Sequence, residues 1–255
     1  LKLSRGLGDV YKRQIMDDAV HFLPLYLRFI RGIIDSSDLP LNVSREILQD
    51  HPLVESIKKA LTKRVVDALK KLKDSDINAY KEFWKEYGLV LKEGPAEDSE
   101  HRESIAELLL FATSNKETHD VDQTLDDYIS RMPSDQKGIY YCVADTFEGA
   151  LNSPHLESLK SKNTEVLLLT DRIDEWLMSS LFEFKGKSFI NVAKTSNEAE
   201  VKPKTTKDQN ELLKKVANHL GDRVSEVLPS SRLKDSACCL VPVSYTHLRA
   251  HETAS

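Results

Sequence analysis

Arg45 lies at the centre of the stretch best suited to chemistry, the segment LPLNVSREILQ at positions 39–49. Pro40 restricts its own backbone and disfavours helix in the residue before it. Asn42 and Ser44 are both good helix N-caps, so the pattern predicts a loop that passes into a helix at this point. Arg45 is therefore expected in the first helical turn, where the helix dipole disfavours a positive charge by roughly 0.3–1 kcal/mol.

A cation at that end of a helix is typical of a site that binds an anion. The free backbone N–H groups, the positive end of the dipole and the planar guanidinium together suit a phosphate group. Gln49 follows four residues later on the same helical face, with a neutral hydrogen-bonding head. The alternative is a surface ion pair between Arg45 and Glu46 or a nearby aspartate, and the residue types alone leave both interpretations open.

Asp145 and Asp171 form a second candidate site, because each follows a predicted strand of a parallel pair. Ligands of open α/β sheets usually bind beyond the carboxyl ends of the strands, and two carboxylates there would suit Mg²⁺. Such a chain would be a free-standing, Mg-dependent enzyme that handles phosphate. Each aspartate also precedes a predicted helix, where Asp or Thr is the expected N-cap. The sequence contains no glycine-rich phosphate loop of the form GxGxxG or GxxxxGK[ST], which weakens the case for a nucleotide site within this chain.

Composition gives little support to other classes of function. His101, His119 and His155 have no second ligand three or four residues away, so no metal site is expected. The net charge of −5 argues against a general nucleic-acid binder, and no apolar run approaches a membrane helix. Three cysteines, of which Cys238–Cys239 are adjacent, offer no disulfide framework. With no secretory signal pattern, we expect a cytoplasmic protein that binds neither nucleic acid nor membrane.

The spacing of apolar residues predicts the helices that must position these side chains. Helices are expected at 21–34, 53–72, 78–87 and 105–111. In the helix at 53–72 the expected core stripe consists of Leu53, Ile57, Leu61, Val65, Ala68 and Leu72. The helix at 78–87 carries an aromatic stripe of the kind that usually packs in a core, formed by Tyr80, Phe83, Trp84 and Tyr87.

The second half of the chain alternates between strand and helix patterns. Short apolar runs at 138–144 and 165–169 are rich in strand formers, and a helical pattern at 147–159 separates them. This order predicts a βαβ unit with a parallel pair of strands. The pattern continues with a helix at 172–181, a strand at 187–192, a polar linker, and a helix at 212–220.

Trp176 and Met178 lie off the apolar stripe of the helix at 172–181. That stripe, formed by Ile173, Leu177 and Leu181, is expected to face the sheet. An exposed Trp and Met offer large, adaptable apolar contacts that suit non-native protein chains. Packing against a neighbouring domain is the alternative interpretation.

Five segments of this sequence resemble one known family. They are YLRFIRGIIDSSDLPLNVSREILQD (26–50), GLVLKEGPAED (88–98), SRMPSDQKGIYY (130–141), SPHLESLK (153–160) and EVLLLTDRIDEW (165–176). Together they resemble the ninety-kilodalton heat-shock chaperones, and the segment at 88–98 is similar to the bacterial branch. The resemblance extends over roughly residues 15–233.

The resemblance implies a function for the residues singled out above. In that family the arginine and glutamine of the SRExLQ motif reach from the middle domain to ATP held by the N-terminal domain, and these positions match Arg45 and Gln49. The full-length parent would be a homodimeric, Mg-ATP-dependent chaperone of unfolded client proteins, with Trp176 and Met178 near the client cleft. The segment alone is expected to bind no cofactor and to hydrolyse nothing.

The resemblance and the composition together predict a mixed α/β fold in several segments. Residues 15–52 would end the larger middle subdomain and carry the catalytic loop, and 53–118 would form a helical connecting segment. Residues 119–196 would form a smaller αβα subdomain with the parallel βαβ unit, followed by a linker and the start of a C-terminal domain at 197–243. Residues 1–14 and 244–255 look like translated adapter DNA and are expected to lie outside the fold.

Overall fold

The computed structural model describes residues 22–34, 52–116, 118–194, 206–230 and 233–241. The described helices are α1 (Pro52–Ser75), α2 (Ile77–Leu91), α3 (Gly94–Glu97), α4 (Arg102–Ala106), α5 (Leu125–Arg131), α6 (Phe147–Leu151), α7 (Glu157–Lys160), α8 (Ile173–Ser180) and α9 (Lys207–Leu220). The described strands are β1 (Leu110–Thr113), β2 (Gln123–Thr124), β3 (Ile139–Val143), β4 (Leu167–Leu169), β5 (Glu183–Phe184) and β6 (Lys187–Asn191). Short 3₁₀ turns lie at Leu25–Leu27, Pro154–Leu156 and Gly221–Arg223.

The chain divides into two compact units. The first, here called the helical unit, comprises Leu1–Phe111, Val121–Ser130 and Asp171–Lys187. The second, here called the α/β unit, comprises Ala112–Asp120, Arg131–Thr170 and Ser188–Ser255. The predicted mixed α/β fold is confirmed.

Helix α1 of the helical unit confirms the helix predicted at 53–72 but buries a neighbouring face. The buried side chains of α1 are Val54, Thr62, Val66 and Leu69. The expected stripe therefore lies beside the buried face of α1 and not within it, with Leu53 half-buried and Ala68 exposed. Where two adjacent residues are both apolar, as Val65 and Val66 are, the sequence does not show which of them faces the core. Adjacent residues point about 100° apart around a helix, so the predicted buried face can be wrong by that angle.

Helix α2 begins where Asp76 caps it, because the Asp76 side chain accepts a hydrogen bond from the Ala79 N–H at 3.0 Å. Tyr80 and Trp84 of its aromatic stripe are buried, as predicted. The Tyr80 hydroxyl donates to the Leu108 carbonyl oxygen, which satisfies the polar end of a buried ring. Tyr87 differs from the prediction, since it is 40% exposed.

Two predicted helices near the start of the chain are wrong or incomplete. Instead of a helix at 21–34, the described residues of this range form a 3₁₀ turn at Leu25–Leu27, which begins after Pro24. The stretch expected to be helical at 105–111 ends its helix at Ala106 and enters β1 at Leu110. A run of consecutive apolar residues fits a buried strand as well as a buried helix, so periodicity does not distinguish them here.

The α/β unit contains the predicted βαβ arrangement. Strands β3 and β4 are parallel, with Cys142 opposite Leu168. Strand β6 pairs parallel with the other side of β3, and Ala112 and Thr113 of β1 pair antiparallel with β4. The crossover between β3 and β4 is broken into α6, a 3₁₀ turn and α7, where one continuous helix was predicted. Helix α9 confirms the helix predicted at 212–220 and begins earlier, at Lys207.

Candidate functional site

Arg45 and Gln49, the predicted phosphate-contacting residues, lie outside the described residues. The chain on both sides of them belongs to the helical unit. Phe22, before the predicted loop, and Val54, after it, pack in one buried cluster that Ile57 and Leu61 border. The two described flanks of the predicted loop are therefore joined by an apolar contact.

Carboxylates fix the flank that precedes the predicted loop. Tyr26 is fully buried; its N–H donates to Glu97 Oε2 at 3.2 Å and its hydroxyl donates to Asp98 Oδ2 at 3.0 Å. Burial, assisted by the negative charge of Asp98, raises the pKa of Tyr26 far above its ordinary value, so the phenol stays protonated and donates. Arg28 donates to both oxygens of Glu93, at 2.5 and 2.8 Å. This bidentate geometry gives the pair directional specificity.

The GPAED turn at 94–98 is shaped around the same tyrosine. A Cβ added at Gly94 would lie 3.0 Å from the Tyr26 ring and 3.0 Å from Ile105, so a larger residue here would require these side chains to shift. The His101 N–H and ring Nδ1 both lie 3.0 Å from oxygens of Asp98, the acceptor of the Tyr26 hydroxyl. Hydrogen bonds, an ion pair and close packing therefore hold this flank in position.

A cluster of aromatic rings also holds the flank that precedes the predicted loop. Phe29 stacks on Tyr87 of α2 with ring centroids 4.8 Å apart, and it meets Phe83 edge-on at 5.4 Å. This contact explains why Tyr87 stands outside the core although it continues the aromatic stripe. Its ring supports the segment that leads into the predicted loop.

A buried ion cluster lies at the end of α2. Lys92 has only 4% of its side chain exposed, and its ammonium lies 2.7 Å from Asp171 Oδ2 and 2.7 Å from Asp174 Oδ1. Asp174 is 1% exposed and also accepts the Asp171 N–H at 2.9 Å. Burial raises the pKa of Asp174, and the positive charge of Lys92 partly opposes that rise. The cluster ties the start of α8 to the end of α2.

This cluster changes the interpretation of the aspartates predicted as a Mg²⁺ pair or as N-caps. Asp171 is paired with Lys92, and Asp145 belongs to the other unit. The N-cap predictions are wrong for both. Thr146 caps α6 by accepting from the Gly149 N–H, and Arg172 occupies the N-cap of α8 without a side-chain hydrogen bond.

Helix α8 presents Trp176 on its exposed side, as predicted. The Trp176 side chain is 43% exposed, whereas Leu177 and Leu181 are buried and Met178 is half-buried. Asp174 and Leu177 together fix the rotation of α8, one through the ion cluster and one through the core. Trp176 therefore keeps its exposure through both contacts.

Within the described ranges, no group of three or more His, Cys, Asp or Glu residues is arranged to hold a metal ion. In the same part of the chain, no helix has the length and apolar character needed to cross a membrane.

The sequence interpretation missed Lys92, Asp174 and Glu157 as structurally important charges. Lys92 follows the end of an amphipathic helix and Glu157 begins a short one. At such positions a charged side chain is usually exposed, so neither residue stands out in the sequence. Their partners lie 77 to 82 residues away along the chain. The only available signal was that all three fall inside the segments that carry the family resemblance.

Comparison with known proteins agrees with that resemblance. A family model described as Hsp90 protein matches residues 10–251. Three curated relatives are each named Chaperone protein HtpG. The Klebsiella pneumoniae protein is 51% identical over 230 residues, that of Salmonella typhi 51% over 231, and that of Coxiella burnetii 48% over 247. These matches cover 87%, 87% and 93% of this chain, which spans 37–39% of the relatives' length. The chain therefore belongs to the Hsp90 protein family.

Proposed function

We propose that this chain is the middle segment of an ATP-driven molecular chaperone that binds non-native proteins. The observation that carries the proposal is an identity of 51% over 87% of the chain to a protein named as a chaperone. The chain spans 37% of that relative, so the activity belongs to a longer protein.

In the full-length protein, Arg45 contacts the γ-phosphate of ATP and Gln49 supports the same loop. The nucleotide, with Mg²⁺, is held by an N-terminal domain that precedes the matched region. The anchoring of the described flank supports this role, because an arginine that arrives from another domain must be held within about 1 Å of its productive position to act on rate. Tyr26, Arg28 and the Phe22–Val54 contact restrain the chain that leads to and from Arg45.

Client binding is proposed to involve α8, with Trp176 and Met178 as the contacting residues. A half-exposed Trp beside a partly buried Met offers a large apolar area at low conformational cost. The ion cluster of Lys92 with Asp171 and Asp174 keeps α8 rigid, so these side chains are presented rather than folded inward.

The remaining properties follow from family membership and are proposals for the full-length protein. We expect a cytoplasmic, heat-shock-responsive homodimer whose partners are unfolded or partly folded proteins. The competing interpretation, a free-standing Mg-dependent enzyme that uses Asp145 and Asp171, is not favoured by any observation. One of its two carboxylates already pairs with Lys92 at 2.7 Å.

The test compares the full-length protein with this chain alone. The full-length protein should hydrolyse Mg-ATP slowly and should suppress aggregation of a thermally unfolded client in an ATP-dependent manner. The chain alone should hydrolyse no ATP above the buffer rate. Hydrolysis by the chain alone that disappears in Asp145→Asn and Asp171→Asn variants would instead establish the enzyme interpretation. Failure of the full-length protein to affect aggregation would contradict the chaperone proposal.

A further inference from the structure

Glu157, the first residue of α7, binds a segment that follows far along the chain. Its carboxylate accepts hydrogen bonds from the N–H groups of Lys234 at 2.5 Å, Asp235 at 3.0 Å and Ser236 at 3.2 Å. The Ser236 hydroxyl donates to the same carboxylate. All four residues belong to the α/β unit.

This arrangement uses the full capacity of one carboxylate. An ionised carboxyl group offers about four acceptor positions, and here four donors occupy them. Successive backbone N–H groups that converge on one anion form a nest, in which each charge-assisted bond is stronger than a bond between neutral groups. The contact is therefore specific for a negative charge at position 157.

Apolar burial contributes little to the segment at 233–241. None of its described residues is buried, and Leu240, its most prominent apolar side chain, is 80% exposed. The stabilisation from burial grows with the apolar area removed from water, so a segment without buried side chains gains little from this source. Hydrogen bonds to Glu157 therefore fix residues 234–236 without the help of a buried apolar side chain.

We propose that Glu157 is the docking point of a releasable strap, residues 234–236, and that a negative charge placed at Ser236 detaches it. A second anion beside the Glu157 carboxylate would repel it and would replace a donor by an acceptor. Within the α/β unit the strap holds the chain that follows α9 against the start of α7, so its release gives this part of the chain more freedom to move.

The surroundings of Glu157 keep its carboxylate ionised, so a change of pH is not the means of release. Lys160, Lys234 and Asp235 line the surrounding cleft, together with Asn152, Ser153 and Ser161. Hydrogen bonds from the Ser236 hydroxyl and from the N–H groups of residues 234–236 lower the pKa of Glu157 to about 2. The carboxylate thus stays ionised throughout the physiological range, and ordinary changes of pH leave the strap attached.

Hydrogen exchange of the complete 255-residue chain tests the proposal. In the parent, peptide amides at 234–236 should exchange slowly. Glu157→Ala and Ser236→Asp should each accelerate their exchange at least tenfold, and trypsin should cut faster after Lys234. Ser236→Thr keeps the hydroxyl and should behave as the parent. Glu148→Gln is the matched control, because Glu148 is an exposed carboxylate on α6 of the same unit.

Exchange in β3 and β4 should stay at the parent rate in every variant, which separates strap release from unfolding of the α/β unit. Parent-like protection of 234–236 in Glu157→Ala would overturn the docking point. Release in Glu157→Ala but not in Ser236→Asp would overturn control by charge at the serine. Equal acceleration across strands and strap would show that Glu157 serves general stability, which would also contradict the proposal.

Discussion

At the scale of single residues, the dominant feature is the pairing of Lys92 with Asp171 and Asp174. Both Lys92 and Asp174 are almost fully buried, with side-chain exposures of 4% and 1%. Transfer of such charges from water costs several kcal/mol per ion, and the pair repays that cost only through close geometry and full hydrogen bonding. The two 2.7 Å contacts and the N–H of Asp171 meet that requirement. Removal of one partner therefore leaves an uncompensated charge.

Replacement of Lys92 by Met should lower the free energy of unfolding by about 3–5 kcal/mol at pH 7, the cost of breaking a buried pair. The pKa of Asp174, already raised by burial, should rise further. A raised folded-state pKa contributes stability that is present at low pH and lost as pH rises through that pKa. The deficit of the variant relative to the parent should therefore be smaller near pH 4 than at pH 7.

Urea unfolding of both proteins at the two pH values measures this difference. Lys85→Met is the control, because the Lys85 side chain is 66% exposed and pairs with Glu82 on the same helix. It should change the unfolding free energy by less than about 1 kcal/mol. An identical deficit for Lys92→Met at both pH values would show that lost packing, and not the stranded carboxylate, causes the destabilisation.

Arg45→Ala, made in the full-length protein, should reduce ATP hydrolysis at least tenfold. The γ-phosphoryl group gains charge in the transition state, so a guanidinium there stabilises the reaction more than it stabilises bound ATP. Arginine fingers contribute about 10³–10⁵ in rate elsewhere, and the effect is smaller where a conformational step limits turnover. Nucleotide affinity and melting temperature should match the parent.

Two companion variants make the Arg45 test specific. Arg45→Lys should restore little activity, because an ammonium lacks the planar fork of the guanidinium. Arg31→Ala removes an exposed arginine from the described flank and should leave turnover unchanged. If Arg45→Ala retains near-parent turnover, Arg45 is a surface ion-pairing residue.

At the scale of elements, α2 and α8 show how one pattern serves two purposes. Each carries one of the two tryptophans of the chain, Trp84 on α2 and Trp176 on α8. Trp84 is 8% exposed and lies against Gly88, whereas Trp176 is 43% exposed. Local sequence is similar in both helices, an amphipathic stripe with an aromatic residue. The neighbours that each helix meets in the fold decide which ring is covered.

The two tryptophans therefore form a natural comparison. In the Trp84→Phe variant, fluorescence comes from Trp176 and should be quenched strongly by iodide, whereas the Trp84 signal in Trp176→Phe should be protected. Trp84→Ala should cost about 3–5 kcal/mol of stability. Trp176→Ala should cost less than about 1 kcal/mol, as surface substitutions usually do. A cost above 3 kcal/mol for Trp176→Ala would place that ring in the core.

Client binding by α8 requires a separate measurement in the full-length protein. Trp176→Ala should weaken the suppression of client aggregation several-fold while ATP hydrolysis stays at the parent rate. Unchanged suppression would remove Trp176 from the proposed client surface without affecting the fold or the ATPase proposal. Glu175→Gln, an exposed change at the adjacent position of the same helix, is the matched control.

At the scale of the whole molecule, the described residues form two units that each take segments from distant parts of the chain. The helical unit combines residues before 112 with 121–130 and 171–187. Such interleaving makes each unit depend on contacts between remote segments, including Lys92 with Asp174, 82 residues apart. Neither unit is contained in one uninterrupted stretch of sequence.

Deletion of residues 1–14 and 244–255 should leave the unfolding free energy of the chain nearly unchanged. Their composition shows no continuity with the apolar periodicity of the neighbouring segments, so no share of the core is expected from them. Urea denaturation of the shortened and complete chains measures the difference. A loss above about 1 kcal/mol, the size of a typical structural mutation, would contradict the prediction.

Local patterns were sufficient to predict α1, α2, α8 and the parallel pair β3 and β4. Each of these elements shows a regular spacing of apolar residues over several positions. Such a spacing can be recognised from a short stretch of sequence, without knowledge of distant contacts. The same patterns gave a wrong prediction at Phe111, where an apolar run expected to be helical forms a strand. They also failed at Val54, because the buried face of α1 is shifted by one residue from the predicted stripe. In both places several apolar neighbours compete, and only contact with the rest of the unit selects among them.

The sequence alone therefore determined the family, the order of most elements and the exposure of Trp176, because motifs and periodicities are local properties. The pairing of Lys92 with Asp174 and the docking of residues 234–236 on Glu157 were decided only by the tertiary structure. The sequence around a charged residue does not distinguish a solvated side chain from one that is paired with a distant residue. Its burial depends on which distant backbone and side chains the folded chain places beside it.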